Sequence, residues 1–163
     1  GFKDLADEDW MTAFEKNLLS YIRTTRSVLP YMQANDFGRI INIASSSTKE
    51  VIDGLILSNT FRSGMVGLTK SLAREYAKHN ILVNTIGPGR IATDRVAELD
   101  QLSADRQGIP IEDVIKTNKN LIPIGRYGEP EEFAKAVVFL ASPANTYMTG
   151  QSLIIDGGML KAL

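Results

Sequence analysis

The sequence predicts an α/β protein on a doubly wound parallel sheet, and it carries the later half only: three strands with flanking helices. Three observations point there. Short apolar runs rich in β-branched residues stand at 39–44, 81–86 and 152–156. Stretches with helical periodicity separate them. Each run stops at small or turn-forming residues: Ser45-Ser46-Ser47-Thr48, Gly87-Pro88-Gly89 and Gly157-Gly158.

The first helix is expected over about 9–34, where Trp10, Phe14, Leu18, Tyr21 and Ile22 recur at steps of three and four. Leu29-Pro30 is expected to kink it or end its regular part, because proline lacks the N–H and crowds the preceding turn. Asn35-Asp36-Phe37-Gly38 forms a turn ahead of the first strand. Ser58-Asn59 reads as a helix N-cap pair, opening a helix to about Lys78 with Phe61, Met65, Leu68, Leu72 and Tyr76 on one face. Residues 91–120 read as two charged helical pieces broken at Gly108-Ile109-Pro110, an excursion suited to a mobile lid or substrate loop. Glu129-Pro130-Glu131-Glu132 opens the last helix well: proline fits the first turn and carboxylates favour the positive end of the dipole. Ser142-Pro143 closes it.

A length of 163 residues suffices for one domain with a real core. The net charge of -1 makes no electrostatic case for nucleic acid or an anionic membrane as partner. Cysteine is absent, which excludes disulfides and thiolate chemistry and fits a cytoplasmic location. His79 is the only histidine, so neither a His-centred triad nor a multi-His metal site is expected. No apolar run approaches the length of a membrane span. No G-x-G-x-x-G occurs, and Pro88 removes a donor from Gly87-Pro88-Gly89, so a phosphate-binding turn is expected outside these residues. The start, Gly1-Phe2-Lys3-Asp4, is no signal peptide and lacks an initiator Met, which points to truncation or processing.

Several segments, in order, carry a resemblance. They are Asn17 within Phe14-Glu15-Lys16-Asn17-Leu18, the strand Gly38-Arg39-Ile40-Ile41-Asn42-Ile43-Ala44-Ser45, and Gly67-Leu68-Thr69-Lys70-Ser71-Leu72-Ala73. Val83-Asn84-Thr85-Ile86-Gly87-Pro88-Gly89, Pro123-Ile124-Gly125-Arg126, Gly128-Glu129-Pro130-Glu131-Glu132, Thr149-Gly150-Gln151 and Asp156-Gly157-Gly158 follow. Together they resemble the short-chain dehydrogenase/reductase family, especially its 3-oxoacyl-carrier-protein-reductase-like members, over nearly the whole chain. The resemblance implies a Rossmann-like domain that binds NADP or NAD. Residues 1–163 would be the C-terminal part of that single domain, with the substrate-loop excursion at about 92–122. The family's glycine-rich turn, its residue choosing between NAD and NADP, and its Asn-Asn-Ala-Gly motif would precede Gly1. A homodimer or homotetramer paired through helices matching 10–34 and 59–78 is also implied.

Family roles carry over position by position. Asn17 matches the Asn that bends its helix and holds a water in a proton relay; a buried amide on an apolar face needs partners in any case. Ser45, 28 residues later, matches the Ser that hydrogen-bonds the substrate oxygen, with Ser46 and Ser47 as close neighbours. The family's Tyr-x-x-x-Lys falls on Ser58-Asn59-Thr60-Phe61-Arg62, so Ser58 stands at the Tyr and Arg62 at the Lys. This is the main departure. An aliphatic hydroxyl is a far weaker acid than a phenol, and Arg62 keeps its charge for ribose hydroxyls yet does not shuttle protons. Tyr21 and Tyr147 are further phenols to weigh. Pro88, Gly89, Ile91 and Thr93 match the Pro-Gly-x-Ile-x-Thr segment that contacts nicotinamide. Arg90 and Arg95 flank that segment and read as solvated charges.

The expected activity is NAD(P)-dependent reduction of a small-molecule carbonyl, such as a 3-oxoacyl thioester, or oxidation of the matching alcohol. The alternative is a cofactor-binding family member without reductase activity, because Tyr and Lys are replaced. Lyase chemistry of the halohydrin dehalogenase kind keeps the Tyr, and a serine hydrolase would need the absent G-x-S-x-G.

Overall fold

A computed structural model describes residues 1–162 and contains one parallel sheet with strands in the order β1 (Gly38–Ile43), β2 (Ile81–Pro88) and β3 (Ser152–Ile155). Gly38 pairs with Ile81 and Ile43 with Ile86; Thr85 pairs with Ser152 and Pro88 with Ile155. β2 lies in the middle, and its residues from Ile81 to Gly87 are all buried. A strand covered on both faces has no solvent side, which is why its apolar run does not alternate.

The longer helical segments are α1 (Asp7–Phe14), a π turn (Glu15–Leu19), α2 (Ser20–Ala34), α3 (Ile56–Tyr76), α4 (Asp94–Gln107), α5 (Ile111–Asn120) and α6 (Pro130–Ala141). The core joins Leu29 of α2 and Ala73 of α3 to Ile81 and Val83 of β2. A polar thread crosses the same layer. The Asn42 amide donates to Thr69 Oγ1 at 2.9 Å, and the Thr69 and Thr85 hydroxyls meet at 2.7 Å, so β1, α3 and β2 are tied by groups that satisfy one another. α6 packs across β1 and β2. Among the described residues no helix is long and apolar enough to cross a membrane.

Two local expectations are corrected, and a third holds. Pro30 does not end its helix, which continues to Ala34; the missing N–H removes one bond, while Leu29 is held in the core. The irregularity falls earlier, at the π turn. Ser58 and Asn59 are not N-caps, because α3 starts at Ile56; the Asn59 amide is used instead to donate to the Ile52 carbonyl at 2.9 Å, fastening the loop before the helix. The excursion after β2 does break at 108–110, but α4 and α5 form a packed hairpin with Asp100, Ala104 and Val114 buried.

Candidate active site

The site is built from chain ends, where strands stop and backbone groups lack ladder partners. β1 stops at Ile43, and its last carbonyl oxygen points to the free edge of the sheet. Two side chains converge on it: Arg62 Nη1 of α3 donates at 2.6 Å and the Tyr21 hydroxyl of α2 donates at 3.0 Å. Arg62 Nε is buried and has no partner among the described residues. The guanidinium is thus fixed by one donor, with others unspent.

Ser45 follows two residues later and caps a single 3-10 turn, Ser46–Thr48. Its Oγ accepts the Ser47 N–H at 3.1 Å, which leaves the hydroxyl hydrogen free to donate outward. Ser46 and Ser47 are buried beneath it. Gly87 makes this arrangement fit: a Cβ there would lie 2.6 Å from the Ser45 carbonyl oxygen, so only glycine lets the end of β2 pass so close.

Asn17 occupies the π turn. Ser20 N–H reaches back five residues to the Glu15 carbonyl, and Asn17 Nδ2 donates to the Ala13 carbonyl at 2.9 Å. The amide therefore satisfies a carbonyl that the widened turn disturbs, and π turns of this kind recur at functional sites. Asn17 and Ser58 line a common cleft of about 650 Å³ with Leu5, Ala13, Ile56 and Lys16. Arg62 and Ser45 are not among its lining residues. Asn17, Ser45, Ser58 and Arg62 make no hydrogen bond to one another among the described residues.

Beyond β2, Pro88 and Gly89 run against the end of β3. Gly89 N–H donates to the Ile155 carbonyl at 2.9 Å, and a Cβ on Gly89 would meet Asp156 Cβ at 2.5 Å. Ile91 bridges to Gly128 in parallel fashion. Thr93 caps α4, but weakly: its Oγ1 accepts the Val96 N–H at 3.4 Å and donates to the Ile91 carbonyl at 3.4 Å, long enough to be redirected.

Arg90 was expected to be a solvated charge, and the structure corrects this. Its side chain is 30% exposed, and Nη1 donates to Asp100 Oδ1 at 2.7 Å, a carboxylate that is 1% exposed as a residue. Asn118 of α5 donates to the same oxygen at 2.8 Å, and the Tyr127 hydroxyl donates to Oδ2 at 2.6 Å. Burial, and then that bond to Asp100, push the Tyr127 phenol up from its ordinary pKa. Sequence reasoning missed Asp100, Asn118 and Tyr127; the sole hint was a cation beside the Pro88-Gly89 turn. Arg95 does behave as expected, pairing with Glu98 at 3.1 Å in the open. Tyr147 is 95% exposed, away from any of these groups.

A dinucleotide's nicotinamide and ribose suit what is present. Arg62 offers a buried, unpartnered donor, and Gly89 lets the turn after β2 pack closely against Asp156, where a Cβ would clash. A parallel sheet with hydroxyl, guanidinium and glycine groups gathered at the carboxyl ends of its strands defines a Rossmann-like α/β protein with a candidate site at that edge.

Comparison with known proteins narrows the class. The family described as enoyl-(acyl carrier protein) reductase matches residues 1–160. The chain is 37% identical over 151 residues to the 3-oxoacyl-[acyl-carrier-protein] reductase FabG of Aquifex aeolicus, covering 93% of this chain and 56% of that protein. It is 34% identical over 166 residues to the uncharacterized oxidoreductase YvrD of Bacillus subtilis, covering 99% and 63%. Among solved structures, YwfH, an NADPH-dependent reductase of bacilysin biosynthesis, superposes with a TM-score of 0.94 at 31% identity over 99% of this chain and 62% of that one. The L-sorbose reductase of Gluconobacter frateurii, complexed with NADPH and L-sorbose, gives 0.92 at 32% identity over 100% and 62%. The chain belongs to the short-chain dehydrogenase/reductase family, and it spans about three-fifths of the length of these relatives.

Proposed function

We propose that this chain forms the catalytic part of an NAD(P)-dependent oxidoreductase that reduces a carbonyl to an alcohol or runs the reverse reaction. A 3-oxoacyl thioester is the first substrate to test. The observation that carries the reading is the convergence of Ser45, Arg62 and Gly89 on the carboxyl ends of β1 and β2, where ligands of open α/β sheets bind. Its kinship with NADPH-dependent reductases supports the same cofactor, NADP or NAD.

When bound, a nicotinamide cofactor would supply or accept the hydride. Pro88, Gly89, Ile91 and Thr93 would hold it. The free hydrogen of Ser45 Oγ donates to the substrate oxygen as negative charge develops on it. Arg62 remains protonated, binds ribose hydroxyls through its unspent donors and favours that charge without giving up a proton. The proton would come from solvent water, since Ser58 is itself too weak an acid. In this reading the active protein is a homodimer or homotetramer.

A second reading is favoured by one specific observation. Ser58 and Arg62 stand in place of Tyr and Lys, which suits a member that binds cofactor without turning over carbonyls. The two are separated by a folded chimera in which the phosphate-binding half of a relative precedes Gly1. Its oxidation of NADPH and NADH with short 3-oxoacyl thioesters is measured. Turnover that survives Ser58→Ala and is lost in Ser45→Ala supports the oxidoreductase; cofactor binding without turnover supports the second reading. Neither binding nor turnover sinks both.

A further inference from the structure

We infer that Asp100 is a positioning hub, through which the α4–α5 hairpin fixes the place of the Pro88–Ile91 backbone by way of Arg90. Its bearing on cofactor rests on the proposed function; the mechanical link does not.

The hub is a closed circuit. Arg90 reaches Asp100 through its side chain, and Asp100 receives the Tyr127 hydroxyl. The return path is backbone. Gly128, next to Tyr127, donates its N–H to the Arg90 carbonyl at 3.0 Å, and Ala92 N–H donates to the Gly128 carbonyl at 2.8 Å. The circuit is also packed tight. The Arg90 guanidinium and the Lys119 ammonium each lie 5.8 Å from the centre of the Tyr127 ring, and a Cβ on Gly128 would meet Ile91 Cδ1 at 2.8 Å.

The hairpin enters this circuit twice, with Asp100 from α4 and Asn118 from α5. A buried carboxylate has few ways to be satisfied, so its oxygens dictate where all three donors stand. Any shift of the hairpin drags Arg90, and Arg90 is bonded directly to Gly89 and Ile91. Gly89 in turn is pressed on Asp156, so the segment cannot absorb the shift by sliding toward β3. Asn118 and Tyr127 are therefore positioning residues: their side chains donate to Asp100 and not to the proposed nicotinamide contacts.

The test is amide hydrogen exchange on the 163-residue chain, comparing wild type with Asn118→Ala and Tyr127→Phe. Each substitution removes one hydrogen bond to a buried charge and keeps the carboxylate; Tyr127→Phe also keeps the ring and serves if the other variant folds poorly. Exchange at Gly89 and Ala92 is expected to rise roughly tenfold, while Val83 and Thr85 in β2 stay unchanged. A purely structural role would not depend on Arg90, so the same variants are repeated with Arg90→Met, where the rise should vanish. Unchanged exchange at Gly89 and Ala92, a parallel rise throughout β2, or a rise that persists with Arg90→Met would each overturn the inference. In the chimera, the same variants should raise KM for the dinucleotide more than they lower kcat. Absence of turnover there counts against the proposed function alone, because the exchange result stands without it.

Discussion

Two arginines stand at the ends of adjacent strands and have opposite fates. Arg62 is anchored to a neutral carbonyl, that of Ile43, and one of its buried nitrogens has no partner. Arg90 is anchored to a buried carboxylate that two other segments also grip. A cation whose partner is neutral keeps its charge available to whatever enters the site. A cation neutralised by Asp100 is committed to holding the structure. Equal residue types beside neighbouring strand ends are therefore a cation with donors to spare in one case and an internal brace in the other.

The contrast is broken most directly at Asp100. Asp100→Ala strips Arg90, Asn118 and Tyr127 of their common acceptor, and the urea unfolding free energy should fall by about 3 kcal/mol or more; a fall below about 1 kcal/mol would erase the distinction. Gly89→Ala probes the segment that joins Arg90 to the sheet. Its methyl has no room beside Asp156, so a loss of about 1–3 kcal/mol is expected in the same measurement. Arg62→Met should do the reverse of Asp100→Ala. Stability should change by less than about 1 kcal/mol, yet dinucleotide affinity of the folded chimera should drop about tenfold, measured by fluorescence titration.

The smallest effect concerns a third arginine, which lies in the open. Arg126 grips Glu132 through two bonds, and it, followed by the Glu129 N–H, lowers the Glu132 carboxyl from 4.5 to about 2. The folded pKa lies below the ordinary one. The contribution is thus present above about pH 4.5 and fades as the pH falls toward 2. The Tm advantage of wild type over Glu132→Gln should be small at pH 6 and shrink further by pH 3.

What could be read in the sequence followed from periodicity and punctuation. The three strands show because β-branched runs end in serine or glycine, and the last helix shows because proline and carboxylates gather at its start. Ser45, Gly89 and Thr93 were legible for the same reason: each sits where a strand or loop stops. Asp100 was not. Its partners lie 10, 18 and 27 residues away, and a single aspartate on a charged helix looks like any solvated carboxylate until the chain folds back. Ser58-Asn59 misled in another way. Both residue types favour caps, but the helix begins a turn earlier, at Ile56 with Leu55 as its N-cap, and Leu55, Ile56 and Leu57 line the cleft that Asn17 shares.

The π turn at Asn17 sets the phase between two halves of one long helix. One residue of an α-helix subtends about 100°. Ahead of the turn, Trp10 and Phe14 meet the ring of Phe61 at 6.1 and 5.8 Å; after it, Tyr21 and Leu29 meet β1 and the core. Winding the same residues as a regular α-helix, without the wide turn, would swing one half by about 100° relative to the other. The helix would gain regularity and lose an aromatic contact or a strand contact, since it could no longer keep both faces aimed. The extra residue works as a vernier, and the Asn17 amide is the pin that holds its setting.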